Sequence, residues 1–153
     1  GPDLRPSQSI AAADALFEEG LRLMRQGGHG VPIFYDPKIM KKALARFKKI
    51  IRDYPTSDKI ALAAFYCGEI YKEYFNDDRR AVMYYQRAWQ WDPDIPKPAR
   101  FQAAVVLDFR LHERARALEL YKQVIEKETF NQSNVHFAMA RIKQLTGQPA
   151  GTP

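Results

Sequence analysis

Several residue types and patterns that carry chemistry are scarce or missing in this sequence. Cys67 is the only cysteine among 153 residues, which excludes an intramolecular disulfide and a metal site built from several cysteines. The three histidines, His29, His112 and His136, lie far apart with no carboxylate or thiol at ligand spacing. No apolar run approaches the roughly 18 to 20 residues that cross a bilayer. We therefore predict no metal site and no membrane-spanning segment.

The sequence also lacks the arrangements that most enzymes use. The cluster Gly27-Gly28-x-Gly30 follows a helix pattern rather than a strand, which is the wrong context for cradling a phosphate. Cys67 falls on the packing side of a helix pattern, where a buried thiol is inert. Glu18-Glu19 and Asp77-Asp78 are adjacent rather than facing pairs, which suits solvent or helix N-termini better than acid-base catalysis. We predict no catalytic residue, no cofactor and no small-molecule substrate.

One sequence pattern occurs three times in the chain. "ALARFKKII" from Ala43, "AVMYYQRAW" from Ala81 and "ALELYKQVI" from Ala117 start 38 and 36 residues apart. Their apolar residues recur with the period of an amphipathic helix. Another helix pattern precedes each of them, in "ALFEEGLRLM", "AAFYCGEIY" and "RFQAAVVLDF", and Pro55 and Pro93 follow the first two units. The pattern predicts three helical hairpins.

These hairpins resemble the tetratricopeptide repeat. In that family a small residue of the first helix lets it lie close against the second, and Gly20, Gly68 and Ala104 match that place. The terminal proline of the family matches at Pro55 and Pro93, whereas Thr129 departs from it. The second-helix signature matches at Ala43, Phe47 and Ile50, at Ala81, Tyr85 and Ala88, and at Ala117, Tyr121 and Val124. The resemblance covers about residues 16 to 129. It implies an all-α fold, a right-handed superhelical solenoid of three helical hairpins plus a C-terminal capping helix.

The domain boundaries follow from the repeats. Gly1-Pro2 is typical of a protease-cleavage scar, so residues 1–8 are predicted to be a tag remnant and a disordered leader. Residues 9–146 form one predicted domain, with repeats at about 9–56, 57–94 and 95–130 and a cap helix at 132–146, before a flexible tail at 147–153. Two units hold ten residues where the family has nine, from Tyr71 to Ala81 and from Leu107 to Ala117.

One subgroup of the family is closer than the rest. "FKKIIRDYPTSDKIALAAFYCGEIY" is similar to units of bacterial periplasmic proteins such as the outer-membrane assembly lipoprotein of the barrel-insertion machine and the cell-division coordinator of the Tol-Pal system. In those proteins a Tyr-Pro-x-Ser turn followed by alanine, an aromatic residue and glycine is common. The resemblance favours a periplasmic or outer-membrane-associated location in a bacterium, with the cytoplasm as the alternative.

The resemblance also implies a partner-binding groove lined by the first helices. Phe17, Phe65 and Phe101 each lie three residues before the small residue, a position that faces the groove in the family. They are predicted to hold an apolar or extended partner segment. Alternatively, these rings pack between successive hairpins and belong to the core. The full predicted groove set is Phe17, Leu21, Met24, Phe65, Glu69, Lys72, Phe101, Val105, Asp108 and Phe109.

The first hairpin carries an insertion, "QGGHGVPIFYDPK", that is unusually apolar for a loop. Val31, Ile33, Phe34 and Tyr35 either fold back and fill the open end of the superhelix, or stay partly exposed and take part in binding. Phe34 and Tyr35 are the predicted binding residues of this loop, and His29 is predicted to be an ordinary loop residue.

The helix pattern after the insertion has a strongly basic face opposite its apolar stripe. That face is either solvated, or it docks to an acidic partner or to anionic lipid headgroups. Nucleic acid is not expected because no recognised reading module accompanies the helix. The arc comprises Lys38, Lys41, Lys42, Arg46, Lys48, Lys49 and Arg52, with Lys41, Lys42, Arg46 and Lys49 as the predicted contacts.

The leading functional hypothesis is a non-enzymatic protein-protein interaction scaffold that presents its groove to a peptide segment or a partner domain. One alternative is a structural component that self-associates through exposed end hairpins. Another is an adaptor that docks to an acidic partner or an anionic surface through the basic helix at 38–52. Contact with a membrane is expected only indirectly or through a removed N-terminal anchor.

Overall fold

The fold is all-α, as predicted. The computed structural model describes residues 4–28 and 34–153. Across these ranges it contains seven α-helices: α1 (Ala11–Gly28), α2 (Pro37–Asp53), α3 (Ile60–Glu73), α4 (Asp78–Trp91), α5 (Ala99–Val105), α6 (Arg114–Lys127) and α7 (Gln132–Thr146). Helix α5 continues directly into a π-helical turn, Val106–Arg110. The predictions for Gly1-Pro2, His29, Val31 and Ile33 fall outside the described residues.

The helix ends follow from capping chemistry. Asp36 begins α2, where its carboxylate accepts hydrogen bonds from the backbone N–H of Lys38 at 2.9 Å and of Ile39 at 3.3 Å. Pro37 occupies the first turn, where its missing N–H costs nothing. Gly147, with φ of 74°, ends α7 in the left-handed conformation that glycine adopts readily. These local signals set where the helices begin and end.

Two glycines allow the helices of a hairpin to approach closely. A Cβ atom added to Gly20 would lie 2.7 Å from the ring of Phe47, and one added to Gly68 would lie 2.7 Å from the ring of Tyr85. Both rings are fully buried. The aromatic residue of each second helix therefore packs directly on the backbone of the first helix, in the contact that a small residue was predicted to permit.

The turns of the second and third hairpins have the same backbone hydrogen bond. The N–H of Phe75 donates to the carbonyl of Ile70 at 3.3 Å, and the N–H of Leu111 donates to the carbonyl of Val106 at 3.0 Å. Both bonds join residues five apart, and the two bonds lie 36 residues apart in sequence. Bonds of this spacing widen the helix by one residue, which accounts for the ten-residue spacing in both units.

The residue that leaves each of these turns is also conformationally equivalent. Asn76 has φ of 49° and His112 has φ of 55°, and these are the left-handed non-glycine residues of the described chain. The following residue then donates a hydrogen bond back to the helix. The N–H of Asp77 donates to the carbonyl of Tyr71 at 3.0 Å, and the N–H of Glu113 donates to the carbonyl of Leu107 at 2.7 Å. The backbone thus repeats with a period of 36 residues, as in a helical repeat.

A buried carboxylate closes the third hairpin at its other end. Glu128, which follows α6, accepts hydrogen bonds from the backbone N–H groups of Arg100 at 2.8 Å and Phe101 at 3.1 Å in the first turn of α5. Glu128 is fully buried. Pro98, the residue before α5, makes no side-chain capping bond. The first turn of α5 is therefore capped by the Glu128 carboxylate, which follows α6.

Every helix packs on its neighbour in the chain, and the odd-numbered helices also contact one another. Side-chain contacts join α1 to α3, α3 to α5, and α5 to α7. They are the rings of Phe17 and Tyr66 at 5.8 Å, the Lys72 Nζ to Gln102 Oε1 hydrogen bond at 2.6 Å, and the rings of Phe101 and Phe137 at 5.6 Å.

The N-terminal strap, residues 4–8, lies across the junctions between hairpins. Gln8 donates its backbone N–H to the carbonyl of Thr56 at 3.0 Å and accepts one from the N–H of Asp58 at 2.8 Å. Arg5 Nη1 lies 2.8 Å from a carboxylate oxygen of Asp94. The sequence predicts disorder for residues 1–8, whereas the described part of that segment is held by hydrogen bonds and an ion pair.

Candidate protein-interaction face

Helix α3 is buried on nearly all sides and exposes a single stripe. Its residues are buried except for Leu62, Tyr66, Glu69, Lys72 and Glu73, which recur at the helical period along one side. On α5 and its π-helical turn the partly exposed residues are Phe101, Gln102, Val105, Phe109 and Arg110. We define the odd-helix face by Tyr66, Glu69, Lys72, Glu73, Phe101, Gln102, Val105, Phe109 and, on α7, Phe137.

Five residues of the predicted groove lie on the odd-helix face. They are Glu69, Lys72, Phe101, Val105 and Phe109.

Two other predicted groove residues lie on α1. Leu21 and Met24 are half-buried and pack against the core. Met24 also lines a shallow cavity of about 360 Å³ beside Arg25, Gly28 and Tyr74.

The structure places Phe17 and Phe65 in the core rather than on this face. They are 6% and 4% exposed. The ring of Phe17 packs on Phe47 at 5.9 Å, and that of Phe65 packs on Tyr85 at 5.7 Å. The position three residues before the glycine therefore points into the packing between helices, and the ring of Phe17 also contacts Tyr66 of the next hairpin at 5.8 Å. The exposed stripe runs one residue later, through Tyr66 and Glu69, which is a rotation of about 100° around the helix.

Asp108, another predicted groove residue, is fully buried in an ion-pair network. Arg141 on α7 donates to its two oxygens at 2.7 and 2.8 Å, and the Tyr121 hydroxyl donates at 2.8 Å. Burial alone would raise the pKa of Asp108, but the hydrogen bonds from Arg141 and Tyr121 outweigh it and hold the pKa below its usual range. Asp108 anchors α7 to the third hairpin and has no exposed oxygen to offer a partner.

A polar cluster occupies the centre of the odd-helix face. Lys72 Nζ donates to Gln102 Oε1 at 2.6 Å and to Glu73 Oε1 at 3.0 Å. Glu69 accepts the Tyr85 hydroxyl at 2.5 Å, and burial raises the pKa of its carboxyl. Hydrogen-bond donors and acceptors thus lie side by side on this face.

Beside this cluster lies an aromatic patch formed by Phe101, Phe109 and Phe137. The ring of Phe137 lies 5.6 Å from Phe101 and 6.3 Å from Phe109. Phe109 is 48% and Phe137 is 42% exposed. The guanidinium of Arg141, fixed by Asp108, lies 5.1 Å over the ring of Phe109. Large exposed rings that touch one another are a typical feature of interaction surfaces.

Phe137 is absent from the predicted groove because the sequence pattern predicts only a capping role for α7. The signal is nevertheless present, since Phe65, Phe101 and Phe137 are spaced 36 residues apart. Helix α7 occupies the place of the first helix of a further unit, and Ala140 stands 36 residues after Ala104. Extending the period past the third hairpin would have placed Phe137 beside Phe101.

The two predicted loop residues have different environments. Tyr35 folds back, with its ring 5.2 Å from that of Tyr74 and 6.5 Å from that of Phe75. Phe34, immediately before it, is 71% exposed. Tyr35 thus folds back, as in the first alternative, whereas Phe34 is exposed and its role in binding stays a prediction.

The basic face of α2 divides into two halves. In the C-terminal half Arg46 pairs with Glu19 at 3.2 Å and Lys49 with Asp53 at 3.2 Å. In the N-terminal half Lys41 and Lys42 are exposed, and neither has an ion pair in the part of the chain that the structure describes.

Cys67 is fully buried in α3. Burial raises the pKa of its thiol, so the nucleophilic thiolate is disfavoured. Among the described residues no group of three or more histidine, cysteine or acidic side chains is placed to hold a metal ion. No helix in the described ranges is long and apolar enough to cross a bilayer.

Comparison of the chain with protein-family models, curated proteins and solved structures finds no match.

Proposed function

We propose that the chain is a helical-repeat scaffold of the tetratricopeptide type, which binds a peptide segment or a partner domain on its odd-helix face and catalyses no reaction. Three features support the repeat assignment: the turn that recurs after 36 residues, the contacts of Gly20 and Gly68 with aromatic rings, and the side-chain contacts between successive odd-numbered helices. In such a repeat the first helices line the inner surface of a superhelix.

The observation that carries the binding proposal is the aromatic patch beside the polar cluster. Phe109 and Phe137 expose close to half of their surface while touching each other. Aromatic side chains supply much of the binding energy at protein interfaces, and surrounding polar groups give direction. A partner segment that places an apolar side chain on the patch reaches Lys72, Glu73 and Gln102 with its backbone or polar side chains.

The proposed setting is a periplasmic or outer-membrane assembly of a bacterium. What supports it is the Tyr54-Pro55 turn followed by the Ala64-Phe65 and Gly68 pattern of the second unit. In the structure this turn is the one that the N-terminal strap covers, through Thr56 and Asp58.

Selection of peptides from a displayed random library, followed by titration of the selected peptides, tests the binding proposal. The double variant F109S/F137S should weaken binding by about 30-fold, since about 2 kcal/mol is a common loss at an interfacial aromatic residue. The double variant F130S/M83S is the matched control, because both residues are exposed hydrophobics that lie off the odd-helix face. Equal affinity for all three proteins would contradict the proposal, provided that their circular dichroism melts agree.

A further inference from the structure

Cations that pair with no other described residue gather at one end of the molecule. Of the 24 lysine and arginine residues, all described, six have side chains that make no hydrogen bond, ion pair or ring contact within the described ranges. Four of the six belong to the first hairpin: Arg25 near the end of α1, and Lys38, Lys41 and Lys42 at the start of α2. The other two, Lys127 and Lys143, lie on different helices.

The ends of α1 and α2 meet at this point. The backbone N–H of Asp36 donates to the carbonyl of Gly27 at 2.8 Å, and Gly27 packs against Ile39. We call Arg25, Phe34, Lys38, Lys41 and Lys42 the basic tip. The exposed ring of Phe34 lies four residues before Lys38 in the sequence.

The one carboxylate that the sequence places within the basic tip is already engaged. Asp36 is the only acidic residue between Arg25 and Lys42. Its carboxylate caps α2, where it accepts hydrogen bonds from the N–H groups of Lys38 and Ile39. The four cations therefore keep an excess of positive charge, in contrast to Arg46 and Lys49 further along the same helix.

We propose that the basic tip docks the molecule reversibly on the surface of an anionic lipid bilayer. The long lysine side chains would reach the headgroup phosphates, and the ring of Phe34 would leave water for the interfacial zone where amphipathic surfaces insert aromatic residues. This inference concerns a surface other than the odd-helix face and is independent of the proposed function.

The side-chain types favour a bilayer over an acidic protein segment. Three of the four cations are lysine, a strongly hydrated point charge, whereas arginine is the cation that protein interfaces select for bidentate pairing. Lysine is depleted from protein-protein interfaces. A diffuse sheet of phosphate groups needs no fixed geometry, so it suits flexible, unpaired ammonium groups.

Flotation of the purified protein with vesicles tests the proposal. Vesicles of phosphatidylcholine containing one third phosphatidylglycerol should bind the protein, and pure phosphatidylcholine vesicles should not. Binding should collapse between about 0.1 M and about 1 M NaCl, where the Debye length falls from about 10 Å to about 3 Å. The triple variant K38Q/K41Q/K42Q should bind about 100-fold more weakly, given about fivefold per cation near the surface.

The matched control is K122Q/K127Q/K143Q, which removes the same charge from α6 and α7 and should retain most of the binding. F34S should weaken binding at low salt without changing the net charge, because the ring acts through its removal from water. All of these residues are exposed, and equal melting temperatures establish that the variants are folded. Equal losses in the two lysine triples would overturn the proposal, as would tight capture of a polyglutamate peptide by a protein that ignores anionic vesicles.

Discussion

The second and third hairpins each bury one tyrosine at the same place and satisfy its hydroxyl differently. Tyr85 and Tyr121 lie 36 residues apart and are both fully buried. The Tyr85 hydroxyl donates to Glu69 at 2.5 Å, and the Tyr121 hydroxyl donates to Asp108 at 2.8 Å. The two carboxylates come from positions that are not equivalent in the repeat, so the shared element is the tyrosine and the chemistry of its acceptor differs.

The difference lies in what else each carboxylate meets. Burial raises the pKa of Glu69, and no cation in residues 4–28 and 34–153 donates a hydrogen bond to it. Asp108 receives two hydrogen bonds from Arg141, and its pKa is lowered although burial opposes this. Tyr85 therefore donates to a carboxyl group whose neutral form is favoured by burial. Tyr121 donates to a carboxylate that Arg141 holds as an anion and that thereby joins α7.

Removing the charge of each carboxylate should separate the two hairpins most clearly. Asp108→Asn leaves Arg141 without its counter-ion, and we expect a loss of about 3 kcal/mol in the free energy of unfolding. Glu69→Gln keeps an acceptor for Tyr85 and breaks no ion pair, so we expect a loss below about 1 kcal/mol. Urea unfolding at neutral pH measures both. Equal losses would show that Arg141 does not distinguish the two sites.

A smaller contrast concerns Gly68 and Ala104, which lie 36 residues apart on the first helices of the second and third hairpins. Gly68→Ala places a Cβ atom 2.7 Å from the Tyr85 ring. Displacing a packed ring costs about 1 to 3 kcal/mol, against about 1 kcal/mol of gained helix propensity, so we expect a net loss of about 1 kcal/mol. Ala104→Gly, the reciprocal change 36 residues later, should lose at least as much, because it lowers helix propensity and removes a fully buried methyl group. Thermal unfolding measures both, and a stabilised Gly68→Ala variant would mean that the Tyr85 ring moves freely.

The smallest contrast is in the dependence of stability on pH. The pKa of Asp108 is lowered from 3.8 in the folded chain, so its contribution is complete above that value and is lost as pH falls through the folded pKa. The pKa of Glu69 is raised from 4.5. The folded chain therefore binds a proton at Glu69 at a higher pH than the unfolded chain does. The free energy of unfolding increases as the pH falls through the raised pKa toward 4.5.

The two single variants should each remove one part of that profile. Glu69→Gln should flatten the region above pH 4.5 and Asp108→Asn the region below pH 3.8. Glu128, whose pKa is also raised by burial, is present in both variants and cancels in the difference. Denaturant midpoints measured across the acid range test this, and identical differences for both variants would contradict it.

Much of the architecture was readable from the sequence because the apolar period and the breakers are local signals. Asp36 and Pro37 mark the start of α2, and Gly68 with Tyr85 marks the close approach of two helices. The rotation of α3 was not readable, since apolar residues occur around nearly the whole helix and Phe65 and Tyr66 are both aromatic. Distant partners decide the outcome, since Phe65 is buried against Tyr85 while Tyr66 packs on Phe17 and Phe47 and stays partly exposed.

The candidate site was harder to predict because it depends on distant partners. Nothing local to Asp108 indicates that Arg141 will bury it, and nothing local to Phe109 indicates that Phe137 will stand beside it. The widened turn after Val106 left a trace only as a ten-residue spacing in place of nine.

The N-terminal strap has a consequence for how the chain reaches its folded state. Most helix contacts join segments that are close in sequence, and short loops of this kind close quickly. The bond from Gln8 to Thr56 and the ion pair from Arg5 to Asp94 span 48 and 89 residues. We expect the hairpins to fold first. The N-terminal strap should form its contacts late in folding, and those contacts should make the first two units unfold cooperatively.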